Sequence, residues 1–380
     1  MNKVKQTTGR LIRIIGNEKW QPISIPLVAI LFSFIAAAIV ILLIGKNPLM
    51  AFYHLLQGSG ILPKSNYAGY KSILTDFLSL LNAMTPLIFA SLAVAVALKA
   101  GLFNIGVAGQ MLVSGFLATI IVGYSGLDAY LAKPLVIIIG ILAGGLMGGL
   151  VGWLKYKFNI NEVVSTIMLN YIAQYVISFF IQMFYIDPVS RQSKYISEES
   201  RLTLVNVEYA NLKMDIPLGF ILAIITAFVL KFVLDKTVIG FELKAIGSNK
   251  KAANYAGIHV GKNTILAFVL SGSLAGLAGV TYYLGYFASI QPKVLSDMGF
   301  DSIAVALLGN SNPIGIIFSS FLISIIDQGS TYMSSQVGVR QEISSVIIGL
   351  ILLFSACSAY IKYKIDQRKD AQKRSKESKN

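Results

Sequence analysis

The chain has 380 residues, of which 55% are hydrophobic and only 13% charged, with a mean hydropathy of +0.69. A soluble domain carries about 25% charged residues, so this chain lacks the polar groups to cover its own surface in water, and a bilayer is its natural solvent. The net charge is +14, but the cations gather at the two ends and in a few loops, which points to a membrane surface and away from nucleic acid. One cysteine, Cys357, lies in an apolar run. That excludes an internal disulfide and reads as a buried, inert thiol.

Segment 1–23 is basic and leads into SIPLVAILFSFIAAAIVILLI (24–44). The apolar region of a signal peptide runs about 7–15 residues. This run is longer and is read as an uncleaved first membrane helix. Segment 45–82 follows, with the amphipathic stretch NPLMAFYHLLQG (47–58), an interfacial helix by its pattern. Further spans are expected near 83–99, 107–124, 134–154, 162–184, 217–234 and 264–284. The run 299–309 is short, NSNP (310–313) breaks it, and 314–327 and 342–361 complete the apolar set.

Both ends are basic, the C-terminal one through Lys362, Lys364, Arg368, Lys369, Lys373, Arg374, Lys376 and Lys379. The positive-inside rule places both in the cytoplasm, so the number of crossings is even. The expected fold class is all-α: a polytopic membrane protein of about ten helices, some short or broken, spanning 24–361. On that plan 185–216 is an external loop with nearly balanced charge, 235–262 is a cytoplasmic segment, and 362–380 is a basic cytoplasmic tail.

Small residues are placed with a pattern. GILAGGLMGGLVGWL (140–154) and SGSLAGLAG (271–279) suit close approach of helix backbones. GLFNIGVAGQ (101–110) and GFDSIAVALLG (299–309) share a Gly–Phe–polar head before an apolar run, a faint internal repeat of the kind transporters use.

Polar residues inside spans are costly and mark candidate sites. Asn104 and Gln110 flank Gly106 and Gly109, where a broken helix would let freed backbone and amide groups face a cavity. The plainer alternative is interhelical hydrogen bonding. Asn170 and Gln174 are four apart on one helical face, with Tyr171 beside them. Glu162 reads as a helix N-terminal cap, as does Asp301 unless it faces the pathway, and Glu342 reads as the cap of the last span. Asp327 and Gln328 close the run 314–327 and are expected at the outer surface. His54 and His259 are isolated, and clustered His, Cys or paired carboxylates are missing, so no catalytic residue, metal site or membrane-enzyme chemistry is expected.

The segment AIGSNKKAANYAGIHVGKNT (245–264) ends in a run like a phosphate-binding loop. That loop needs G-x-x-x-x-G-K-[ST]. Here Gly257 and Gly261 are one residue too close and Asn263 follows Lys262, so nucleotide binding is excluded. A different logic fits: Asn249 as N-cap, KKAANYA (250–256) as a short helix, Gly257 as its left-handed C′ residue, and Ile258 as the apolar contact after it. With Ala252, Ala253 and Ala256 on it, this helix suits docking into a groove on another protein.

GSNKKAANYAGI (247–258) followed by SGSLAGLAG resembles the cytoplasmic coupling segment of ABC-importer permeases of the branched-chain amino acid and ribose type. GLFNIGVAGQ is similar to that family's other characteristic stretch, and the resemblance covers about 80–355. NEVVSTIMLNYIA (161–173) and FDSIAVALLGNSNPIG (300–315) resemble its nucleoside permeases. The resemblance implies a pathway formed with a second permease subunit, the same chain or a paralogue, in the bacterial cytoplasmic membrane. It also implies two cytoplasmic ATPase subunits that carry the ATP and Mg, no cofactor in this chain, and an external substrate-binding lipoprotein.

Under it, Gly247, Asn249, Ala252, Ala253, Ala256, Gly257 and Ile258 couple to the ATPase, while Asn104, Gln110, Asn170, Tyr171, Gln174 and Asp301 are the candidate pathway residues. Amides and a phenol suit ribose hydroxyls and base edges. The spans hold few cations to pair with a phosphate. Competing readings are a permease for simple sugars or branched-chain amino acids, and an ion-coupled secondary transporter. The latter calls for carboxylates deep in the spans, and almost none are expected away from span ends.

Overall fold

The computed structural model describes residues 21–209, 211–357 and 367. Most of the basic ends, with the charges used to orient the chain, lie outside the described residues.

Thirteen helices follow one another among the described residues: α1 (Gln21–Leu43), α2 (Pro48–Gly58), α3 (Ile73–Lys99), α4 (Val107–Ala118), α5 (Ala129–Phe158), α6 (Glu162–Phe180), α7 (Leu218–Lys236), α8 (Val238–Ser248), α9 (Lys250–Tyr255), α10 (Val260–Thr281), α11 (Met298–Leu308), α12 (Pro313–Val337) and α13 (Ile343–Ala356). Wider π-turns extend α4 through Thr119–Gly123, α6 through Ile181–Tyr185 and α10 through Tyr282–Phe287. Seven of these helices, with their π-turns, are long and apolar enough to cross a membrane. Three more are apolar but shorter: Val107–Gly123, Met298–Leu308 and Ile343–Ala356.

Local chemistry sets the starts and stops. Asn47 accepts from the N–H groups of Leu49 and Met50 ahead of Pro48, and Asn312 accepts from Ile314 ahead of Pro313. An Asn cap followed by proline at the first helical position satisfies orphan donors and supplies a ready-set φ. Gly338, at φ +68°, ends α12 in the left-handed region.

Several expectations need correction. The segment 185–216 is not all loop. Thr203–Tyr209 (β1) and Leu212–Pro217 (β2) form an antiparallel hairpin that pairs Thr203 with Pro217 and Tyr209 with Leu212, with a register shift between Leu204 and Val207. The fold is therefore mostly helical but not all-α. Its alternating LVNVEY pattern is too short and too polar to stand out in a search for spans.

α2 is more than an interfacial helix. Its Leu55 and Gly58 sit directly on the backbone of Gly329 in α12. α3 starts ten residues earlier than the expected span at 83, and α12 runs on to Val337. That extension puts Asp327 and Gln328 inside a 25-residue helix instead of at its outer end. Cys357 is exposed, not buried.

The glycine pattern produces what its spacing implied. Gly140, Gly144 and Gly148 of α5 face Gly276, Gly272 and Phe268 of α10 so closely that an added Cβ would run into the opposite backbone. Such small-residue seams let dispersion and backbone contacts hold helices where lipid offers no hydrophobic drive.

Two breaks organise the centre. After α3 the chain turns at Gly101 (φ +65°) and runs without helix through Leu102–Gly106 before α4 begins. After the π-turn of α10 it turns at Ala288 (φ 62°) and runs irregularly to α11. The starts of these two short helices meet: a Cβ on Gly299 would lie 2.7 Å from that of Ala108. The two stretches that share a Gly–Phe–polar head in sequence thus lead into two short helices that begin side by side.

Candidate translocation and coupling sites

Backbone without helical partners inside a bundle must find other ones. The 102–106 stretch does so through Asn104, which is 1% exposed. Its Oδ1 accepts from the Gly106 N–H at 2.9 Å, and its Nδ2 donates to Gln110 Oε1 at 3.0 Å and to Ser271 Oγ at 2.9 Å. Ser271 in turn donates to the Ala93 carbonyl.

Asn170, from α6, completes the set. Its Oδ1 accepts from the Gly109 N–H at 2.9 Å, and its Nδ2 donates to the Ile105 carbonyl at 3.0 Å. The structure therefore brings Asn104, Gln110 and Asn170 together as a buried hydrogen-bonded brace joining α3, α4, α6 and α10.

Tyr171 is not part of it and stands half exposed on the outward side of α6. Gln174 donates to the Lys293 carbonyl, and Ser178 accepts from the Lys293 N–H, so this face of α6 latches the irregular linker before α11. Glu162 does not cap its helix. Asn161 does, accepting from Val163, while Glu162 pairs with Lys155 at the end of α5. Asp301 sits in the first turn of α11, whose N-cap position is Asp297.

The sequence picks out a second polar group only in part: Asp301 is a candidate pathway residue, but Asp327 and Gln328 are expected at the outer surface. Asp327 is exposed past the middle of α12, and Asp301 is half-buried in α11. Asp297 and Asp301 stand at the N-cap position and in the first turn of α11. A carboxylate exposed on an apolar helix is costly against lipid, which makes this surface a candidate for a water-filled path or a protein contact. Beside Asp327, Gln328 donates to the Tyr286 hydroxyl at 3.0 Å.

Tyr286 belongs to a packed ring cluster with Tyr282 and Phe287, in which the Tyr286 and Phe287 centroids are 4.7 Å apart. Tyr282 and Phe287 also line a cavity of about 80 Å³, together with Gln192, Ser289, Gln291 and Ser296. The run TYYLGYF (281–287) was the available signal. It read as the apolar end of a span because aromatic residues are also common there.

The segment before the hairpin borders this cavity through Gln192. Ser289 donates to Gln192, and the Arg201 guanidinium donates to the Gly285 carbonyl. Burial draws Arg201 below its usual range, while Asp215 and Glu198 act to restore it.

At the far end of the bundle, α8 and α9 form the segment expected for coupling. Asn249 accepts from the N–H groups of Lys251 and Ala252, and Gly257 has φ +83°. Ile258 and Ala253 pack with Ile246 as a small separate core. Ala253, at 4% exposure, therefore faces its own chain. Ala252, Ala256 and Tyr255 are the outward residues, Tyr255 at 91% exposure. Gly247 abuts the turn before the break: a Cβ on Gly101 would come within 2.9 Å of the Gly247 Cα.

Comparison with known proteins agrees with this architecture. The chain is 35% identical over 361 residues to the nucleoside ABC transporter permease protein NupB of Lactococcus lactis subsp. cremoris, covering 93% of this chain and 96% of the relative. It is 36% identical over 342 residues to the guanosine ABC transporter permease protein NupP of Bacillus subtilis, covering 89% and 94%. At 27% over 288 residues it is similar to the glucose ABC transporter permease protein TsgB13 of Haloferax volcanii, covering 73% and 75%. No solved structure matches the chain. The pattern that describes the permease component of branched-chain amino acid transport systems matches residues 77–356. The chain, a non-enzymatic multi-pass membrane protein, belongs to that permease family.

Proposed function

We propose that this protein is the membrane-spanning subunit of an ABC importer for nucleosides in a bacterial cytoplasmic membrane. The reading rests first on the identity of 35% and 36%, across nearly the whole chain, to permeases named for nucleosides and guanosine. The carboxylates of α11 and α12 support it, since they suit neutral hydroxyl-rich cargo and repel phosphorylated cargo. In this reading the seven long and three short apolar helices make ten crossings. Both ends are cytoplasmic, 24–361 is the transmembrane domain, 185–216 lies outside, and 235–262 with the tail 362–380 lies inside.

Two permease subunits form the pathway, and an external lipoprotein delivers substrate. Two ATPase subunits, which hold the ATP and Mg, dock on α9 through Ala252, Ala256 and neighbouring residues. The chain itself carries no cofactor and contacts no nucleic acid. Closure of the ATPases moves α8 and α9. Gly247, seated on the turn at Gly101, passes that motion to the broken helix and its brace of Asn104, Gln110 and Asn170. Asp301 and Asp327 line the pathway that opens, with Gln174 holding the linker that borders it. Tyr171, on the outward side of α6, faces lipid or the second subunit.

Cells carrying the gene for this chain provide the test. Deletion is expected to abolish uptake of labelled nucleosides at micromolar concentration, and restoring the chain to return it. Unaltered nucleoside uptake with loss of glucose or leucine uptake would overturn the substrate assignment.

A further inference from the structure

We propose that the cavity bounded by Tyr282, Phe287, Gln291 and Ser296 is a nucleoside-recognition station at the 186–217 end of the pathway, in which the base stacks on the aromatic cluster. The inference rests on the nucleoside reading above and assigns residues to it.

Three observations carry it. First, the cavity holds about 80 Å³, room for one ring-sized group, with the remainder of a nucleoside projecting into the open side. Second, its wall combines ring faces with neutral donors and acceptors. Phe287 is 49% exposed and packs against Tyr282 at 4.9 Å between centroids, while Gln192, Gln291 and Ser296 lie around them. Every base has a π-face, so stacking binds purines and pyrimidines alike, while amides and hydroxyls pair with base edges or ribose hydroxyls. Third, Asp297 directly follows the lining residue Ser296, and Asp327 directly precedes Gln328, whose amide reaches Tyr286 of the ring cluster. A negative field beside the stacking platform penalises a phosphate and leaves a neutral nucleoside unaffected.

The position also explains why the linker is so firmly held. Lys293, in the left-handed region at φ 62°, is fixed from α6 through Gln174 and Ser178. Ile290 donates from its N–H to the Ser193 hydroxyl in the segment before the hairpin. The chain is thereby tied to neighbouring elements on both sides of Gln291, at Ile290 and at Lys293, the latter three residues before Ser296. A recognition surface needs that rigidity, because ordering a loose loop on binding would cost affinity.

The test uses the permease–ATPase complex in lipid nanodiscs, with uridine, guanosine and glucose as probes in saturation-transfer NMR. The wild-type complex is expected to transfer saturation to the base protons of both nucleosides and not to glucose. Tyr282→Leu should lose most of that signal, Tyr282→Phe should keep it, and Gln291→Ala should weaken it. In proteoliposomes supplied with saturating loaded binding protein, Tyr282→Leu should lower nucleoside uptake about tenfold, the scale of one lost base-stacking contact.

Equal transfer and uptake in wild type, Tyr282→Leu and Gln291→Ala would overturn the station while leaving nucleoside transport intact. Wild-type uptake of glucose in place of nucleosides would overturn the reading beneath it. If Tyr282→Leu does not assemble with the ATPase, Gln291→Ala, on an exposed side chain, decides the matter.

Discussion

Asn104 shows how a single side chain permits an interrupted helix inside a bundle. It satisfies the Gly106 N–H, Gln110 and Ser271 together. Asn104→Leu would leave those groups unpaired in a buried setting, which costs about 1–3 kcal/mol per orphaned group. The expected outcome is a clear fall in the unfolding midpoint of the detergent-solubilised protein. An unchanged midpoint would mean that the brace does not hold the break.

These residues were legible as polar intruders in apolar runs, and interhelical bonding was one of two roles weighed for Asn104 and Gln110, but their partners were not legible. Asn170 serves Gly109 from 61 positions away, and Ser271 serves Asn104 from 167, and no local pattern reports such pairings. Asp327 was misplaced for a different reason. The polar stretch Ser330–Gln336 ended the apolar run, although it continues the same helix. Asp327 lies well inside an apolar helix, so scarce carboxylates do not by themselves exclude ion coupling; membership of the ABC permease family speaks against it.

At the scale of elements, the sequence was most informative where spacing is enforced by backbone geometry. The glycine seam between α5 and α10 and the capped helix α9 formed where their residues implied. Less legible was which face of α9 is free. The alanines of α9 and its C-cap read alike in sequence, yet Ala253 is buried against Ile246 and Ile258 while Ala252 and Ala256 point outward.

That difference separates two substitutions. Ala256→Arg is expected to leave the permease's thermal stability within about 0.5 kcal/mol of wild type, as for other surface changes, and to abolish co-purification with the ATPase. Ala253→Arg instead forces a cation into a small core, so loss of the ATPase should come with local unfolding, visible as protease cleavage between 249 and 258. Intact ATPase binding in Ala256→Arg would show that the contact lies elsewhere on α8 and α9.

At the scale of the whole molecule, two interrupted helices start side by side at the centre, one braced by amides and the other flanked by carboxylates. A ring cluster and a hairpin segment lie toward one end, and Gly247 of α8 abuts the turn at Gly101 before the break. In the proposed mechanism, motion at α8 has a short route through that contact to the broken helix.

The most direct measurement is uptake of labelled nucleosides into proteoliposomes containing this chain, its partner permease subunit if there is one, the ATPase and the binding protein. The account predicts ATP-dependent accumulation of nucleosides that excess glucose or leucine does not inhibit and that stops when the ATPase cannot hydrolyse ATP. Nucleoside uptake that persists with an inactive ATPase, or ATP-driven uptake of glucose or leucine without nucleosides, would contradict it.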